Sequence, residues 1–104
     1  MKPLNIFQPH YGLVDGMIFI TLSKSRIKPT KESAAKARKL EEQMVKEGCK
    51  ILGWYWTLGR YDFVVVTEAK DEKTLMKSLL RFSDLISTET LVAVPREEAL
   101  KLIE

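Results

Sequence analysis

Three side chains in the second half of the chain have the chemistry needed to move a proton. Tyr61 and Asp62 are adjacent, and Glu89 follows later in the sequence. A carboxylate within hydrogen-bonding reach of a substrate acts as a general base. We therefore consider Asp62, Glu89 and Tyr61 as candidate catalytic residues, gathered at the rim of a cavity that holds a small apolar substrate. The competing interpretation is structural, because Asp62 follows Gly59 in a turn, where its carboxylate can accept hydrogen bonds from backbone N–H groups. We favour this structural interpretation.

Aromatic and basic side chains nearby supply candidate ligand contacts. The residues we consider for ligand binding are Trp54, Trp56, Phe19 and Arg60. Against this stands the ordinary use of aromatic residues in strands, which is to fill a core or an interface. The same two interpretations therefore apply here, a binding site or packing.

Metal, cofactor and nucleotide chemistry have little support in the sequence. His10 is the only histidine and Cys49 the only cysteine, so no spaced set of metal ligands exists and no internal disulfide can form. The chain has no phosphate-binding loop, no glycine-rich dinucleotide turn and no Gly-x-Ser-x-Gly elbow. We expect no metal, no cofactor and no membrane segment, and we expect a cytoplasmic protein.

The elements that would position these residues follow from periodicity and caps. Thr30 and Asp71 are suited to be helix N-caps, and Gly48 is suited to end the first helix. A tight hairpin at Gly59-Arg60 joins two strands rich in β-branched and aromatic residues. The predicted elements are strands at 17–22, 51–58, 61–69 and 86–94, helices starting after Thr30 and Asp71, and a short helix at 97–103.

This order predicts an α+β fold of the ferredoxin-like kind, β-α-β-β-α-β, with a four-stranded antiparallel sheet, both helices on one face and a short C-terminal helix. Residues 1–15 lack periodicity and form an irregular arm, so the domain spans 16–104.

Both faces of the predicted sheet are apolar. In the first strand we expect Ile18, Ile20 and Leu22 on the face that packs against the helices, and Met17 and Phe19 on the opposite face. A large exposed apolar patch is rare on a monomer. We therefore expect self-association through the open face, most simply as a two-fold homodimer.

One segment resembles a known family. The run Gly53-Trp54-Tyr55-Trp56-Thr57-Leu58-Gly59-Arg60-Tyr61-Asp62, followed by Thr88-Glu89-Thr90-Leu91, resembles the GYD domain family over about residues 16–104. The family's Gly, Tyr and Asp correspond to Gly59, Tyr61 and Asp62. The resemblance implies a ferredoxin-like domain of the dimeric α/β-barrel type and carries no established activity. Wider structural relatives include cofactor-free monooxygenases, isomerases and ligand-sensing domains.

Three functions remain at this point. The first is an oligomeric binding or interaction module for a small, partly apolar ligand. The second is a cofactor-independent monooxygenase or isomerase with Asp62 or Glu89 as its base. The third is an RNA-binding module, since RNA-recognition motifs share this strand order. Nucleic acid is not the expected partner, because the net charge is only +3, and Asp62 and Val66 depart from the stacking motif.

Overall fold

The structure is a computed structural model that describes residues 16–103, and the predicted arm at 1–15 lies outside the described residues. The strands are β1 (Met17–Ser25), β2 (Lys50–Trp56), β3 (Phe63–Ala69) and β4 (Ile86–Ala93). The helices are α1 (Lys31–Lys46), α2 (Glu72–Arg81) and α3 (Arg96–Leu100), which runs into a 3₁₀ turn at Lys101–Ile103.

The strands form one antiparallel sheet in the order β2-β3-β1-β4. Each β-α-β crossover skips one strand position, which brings α1 and α2 onto the same face. The predicted ferredoxin-like α+β fold is confirmed. Within residues 16–103, no helix combines the length and apolarity needed to cross a lipid bilayer.

The two main helices begin and end where the sequence predicted. The Thr30 hydroxyl accepts from the backbone N–H of Ser33 at 3.0 Å, and the Ser33 hydroxyl accepts in return from the N–H of Thr30 at 2.9 Å. Asp71 caps α2, because its Oδ1 accepts a hydrogen bond from the backbone N–H of Thr74 at 2.8 Å. Gly48 adopts φ 107° just beyond α1, a conformation that favours glycine.

The core lies between these helices and one face of the sheet. Phe19 is 2% exposed and packs with Met44, Leu75 and Phe82. The predicted orientation of β1 is therefore wrong, since Phe19 belongs to the helix-facing side and Ile18, Ile20 and Leu22 lie on the open side. Of the two faces of β1, the outward one is the more apolar, since the inward one includes the buried hydroxyl residues Thr21 and Ser23.

A β-bulge changes the alternation of β2. Ile51 is opposite Thr67 while Gly53 is opposite Val66, so Leu52 is an extra residue in the ladder. Ile51 and Trp54 consequently both pack against the core.

The connection between β2 and β3 is longer than the predicted two-residue hairpin. It runs from Thr57 to Asp62, with Gly59 at φ 103°. The Thr57 N–H donates to the carbonyl oxygen of Asp62 at 2.9 Å, and the Thr57 hydroxyl donates to that of Tyr61 at 2.6 Å. The loop widens because Asp62 is held by β1, where its N–H donates to the Ser23 carbonyl at 2.8 Å.

Candidate functional site

A cavity of about 320 Å³ opens between α1 and the helix-facing side of the sheet. This volume is at the lower end of the range typical of small-molecule sites, roughly 300–1,000 Å³. The cavity is lined by Ser23, Ser25, Ile27, Pro29, Ser33, Ala34, Ala37, Arg38, Glu41, Trp54, Trp56, Phe63, Phe82, Leu85 and Ile86.

The buried end of the cavity carries an unsatisfied hydroxyl. Ser23 is 0% exposed, and its Oγ makes no hydrogen bond with any group in residues 16–103. Phe82 and Leu85 are also buried and line the same cavity. A buried hydroxyl without a partner costs about 1–3 kcal/mol. The alternation of β1 explains the position, because Ser23 lies on the same face as Phe19 and Thr21.

Aromatic rings form much of the remaining wall. Trp56 and Phe63 meet edge to face, with ring centroids 5.3 Å apart and an interplanar angle of 84°. Trp54 and Phe82 are tilted at 56° with centroids 6.1 Å apart. Trp56 is 75% exposed and therefore lies at the mouth, whereas Phe82 lies at the buried end. Such surfaces favour flat apolar groups.

Helix α1 contributes small and charged side chains to the opposite wall. Ala34 and Ala37 leave the space that a larger residue would fill. Arg38 and Glu41 also line the cavity. Neither forms an ion pair within residues 16–103, where both ion pairs involve Glu47 instead. Both charged residues of the lining thus lie on one turn of α1, and their formal charges cancel.

A smaller cavity of about 20 Å³ continues from the first into the core. The two share Ser23, Trp54, Phe82 and Ile86. Thr67 lines the smaller one, is 1% exposed, and has the other buried hydroxyl that lacks a partner within residues 16–103. A space of this size accommodates about one water-sized group.

The three candidate catalytic residues are divided between two locations. The Tyr61 hydroxyl donates to Glu89 Oε1 at 2.8 Å, and Glu89 pairs with Leu22 in the register, on the open face of the sheet. Asp62 Oδ2 instead accepts from the backbone N–H of Ser25 at 2.8 Å. The structure brings Tyr61 and Glu89 together, and none of the three side chains lines the cavity.

The four candidate ligand-binding residues also lie at different locations. Trp54 and Trp56 line the cavity, Phe19 is buried in the core, and Arg60 is exposed in the β2–β3 loop. Sequence reasoning missed Ser23. The signal available was a hydroxyl residue on the same strand face as Phe19, inside an otherwise apolar strand.

Cys49 takes no part in the cavity. It is 2% exposed, and its Sγ lies 3.9 Å from the hydroxyl of Ser78. Burial raises the pKa of the Cys49 thiol above its ordinary value. The thiol therefore stays protonated near neutral pH, which makes it a poor nucleophile.

Comparison with known proteins gives one finding about this region. The family model described as GYD domain matches residues 17–103. The match includes every residue that lines the cavity, together with the loop that carries Tyr61 and Asp62. A comparison with curated proteins found no match.

Proposed function

Because the chain belongs to the GYD domain family, and the matched residues include the whole cavity, we propose that it binds a small, partly apolar molecule between α1 and the sheet. One observation carries the proposal. Ser23 is completely buried and lines the cavity among aromatic rings, and its hydroxyl lacks a partner within residues 16–103. A ligand that fills the cavity would satisfy this hydroxyl and cover apolar surface.

Native mass spectrometry of protein purified from its own host tests the proposal. We expect a reproducible added mass of a small organic molecule that is lost on denaturation. Ala34→Phe places a ring in the cavity from an exposed helix position, so it should displace the molecule without overpacking the core. Ala35→Phe is the matched control, because Ala35 is the next exposed residue of α1 and does not line the cavity. Equal retention by the two variants would contradict the proposal.

We also propose that the protein acts as a homo-oligomer, with a second copy on the open face of the sheet. Apolar side chains from all four strands make up this face, namely Ile18, Ile20, Leu22, Tyr55, Val64, Val66 and Leu91. Four strands of about seven residues give a surface of about 19 by 23 Å. Because a two-fold axis pairs a surface with itself, an apolar face of this kind is complementary to the same face of another copy.

Light scattering after size-exclusion chromatography measures this directly. We expect a mass of two chains or more at micromolar concentration. Ile20→Lys puts a charge in the centre of the open face and should give a monomer. Val45→Lys adds the same charge at a position of α1 that is already 52% exposed and should leave the assembly intact. A wild-type monomer at these concentrations would overturn the proposed assembly.

The two other functions gain no support from the geometry. Glu41 is the only carboxylate that lines the cavity within residues 16–103, and the Asp62 carboxylate is bound to the N–H of Ser25. Phe19 and Phe63, whose rings would be needed for base stacking on the open face, both lie on the helix-facing side. We therefore propose ligand binding ahead of proton abstraction and RNA binding. We also propose that the protein is cytoplasmic.

A further inference from the structure

We infer that the ligand is a flat aromatic molecule with one neutral hydroxyl or carbonyl group, and that this group binds the Ser23 hydroxyl at the buried end of the cavity. The inference rests on the proposed function and specifies its ligand class. It uses three properties of the site, which are the polarity of its buried end, the shape of its walls and the position of its charges.

The buried end offers neutral hydrogen-bonding groups. The hydroxyls of Ser23 and Thr67 lack partners within residues 16–103, and Ser23 lines both the large cavity and the small one beyond it. A serine hydroxyl both donates and accepts, so it suits a phenolic hydroxyl or a carbonyl oxygen. The adjoining space of about 20 Å³ accepts a small polar substituent and not a second ring.

A charged group at this end is disfavoured. Moving an ion out of water is costly unless an opposite charge compensates for it. In the part of the chain that the structure describes, the only charged side chains that line the cavity are Arg38 and Glu41, both on α1, while the buried end consists of Ser23, Phe82 and Leu85. The group that reaches Ser23 is therefore neutral.

The walls favour a flat ring system. Trp54 and Phe82 line both cavities together with Ser23, Phe63 lies opposite Ser23 in the sheet register, and Trp56 lies at the mouth. Aromatic side chains pack offset or edge-on against other rings. A volume of about 320 Å³ is sufficient for a bicyclic aromatic ligand, so the probes chosen have two fused rings.

The test compares 2-naphthol with 2-methylnaphthalene, which have nearly the same size and differ by a hydroxyl in place of a methyl group. Both tryptophans of the chain line the cavity, so their indole N–H signals in ¹H–¹⁵N spectra report binding at this site. Dissociation constants are measured by titration for the wild type and for Ser23→Ala. Ser83→Ala is the matched control, because Ser83 does not line the cavity and its hydroxyl already donates to the Leu80 carbonyl at 2.8 Å.

We expect both probes to bind the wild type. Ser23→Ala should shift the ratio of the two dissociation constants against 2-naphthol by roughly five- to tenfold, the worth of one neutral hydrogen bond. Ser83→Ala should leave that ratio within about twofold of the wild-type value. If both probes bind but Ser23→Ala leaves the ratio unchanged, the ligand class is wrong and the binding cavity stands. If neither probe perturbs the indole signals, the ligand class is wrong, and the binding function is then judged separately by the native mass spectrometry of the wild type, Ala34→Phe and Ala35→Phe.

Discussion

Removing the Ser23 hydroxyl should make the unliganded protein more stable. In most buried positions, loss of a polar group breaks a hydrogen bond and destabilises the fold. Ser23 differs because its Oγ has no partner within residues 16–103 while the residue is 0% exposed. Ser23→Ala therefore removes a desolvated hydroxyl and breaks no bond. A stability gain from a substitution that weakens ligand binding is the trade-off expected of a binding site.

The size of the gain follows from the cost of an unsatisfied hydroxyl. That cost is about 1–3 kcal/mol, and the small space left by the missing oxygen offsets part of it. We expect Ser23→Ala to raise the free energy of unfolding by about 1 kcal/mol. For a domain of this size, that corresponds to an increase of roughly 4–8 °C in Tm. Urea unfolding should show a higher midpoint with an unchanged m-value.

Two nearby threonines supply matched controls. Thr67→Val keeps the shape of a side chain whose hydroxyl also lacks a partner, so it should stabilise the protein as well. Thr21→Val is the same substitution at a position that is 2% exposed, but the Thr21 hydroxyl shares a hydrogen bond of 3.1 Å with the Thr90 hydroxyl. It should give no gain. The reasoning is refuted if Ser23→Ala and Thr67→Val both lower the unfolding midpoint, because their hydroxyls would then be satisfied in solution.

Substitutions at three further positions test interactions that stabilise the fold, each by urea or thermal unfolding. Asp62→Ala leaves the Ser25 N–H without its acceptor and should cost about 1–3 kcal/mol. Asp62→Asn keeps an acceptor oxygen and should cost less, so equal losses would refute the hydrogen-bond role. A side-chain hydrogen bond from Arg81 lowers the pKa of Glu47 from 4.5 to about 2. The folded pKa is thus below the unfolded one, so this contribution is present above about pH 4.5 and is lost as the pH falls towards 2. Glu47→Gln should flatten the decline of Tm over that range, and an unchanged decline would contradict the assignment. Gly59→Ala meets no atom within 4 Å but must adopt φ 103°, so it should cost roughly 1 kcal/mol. Gly59→Asn should cost less, and a neutral Gly59→Ala would show that the loop relaxes.

Local signals in the sequence predicted the elements well. The caps at Thr30 and Asp71 and the stop at Gly48 depend on interactions within a few residues, so the sequence contains what is needed to place them. The element order then limits the topology to the one observed, because the crossovers must be right-handed.

The sequence did not predict which face of β1 meets the helices. Hydrophobicity favours Ile18, Ile20 and Leu22 as the inward set, yet Phe19, Thr21 and Ser23 are the buried ones. The usual rule assumes one wet face and one dry face. It fails here because both faces are apolar and the inward face carries hydroxyls. The bulge at Leu52 was also not predicted, although Gly53 beside it is a local signal, because a glycine inside a strand often marks a bulge.

The position of the cavity on the helix-facing side was not predicted for the same reason, and this position relates the cavity to the family motif. Asp62 donates its N–H to the Ser23 carbonyl and accepts the Ser25 N–H on its carboxylate. Ser23 and Ser25 both line the cavity, so Asp62 holds the end of β1 that forms the polar wall. Gly59 supplies the turn that brings Asp62 there. The motif aspartate therefore supports the site through the backbone and does not contact its interior. The specificity of the proposed binding would then depend on the side chains that line the cavity, above all on Ser23 and the two tryptophans.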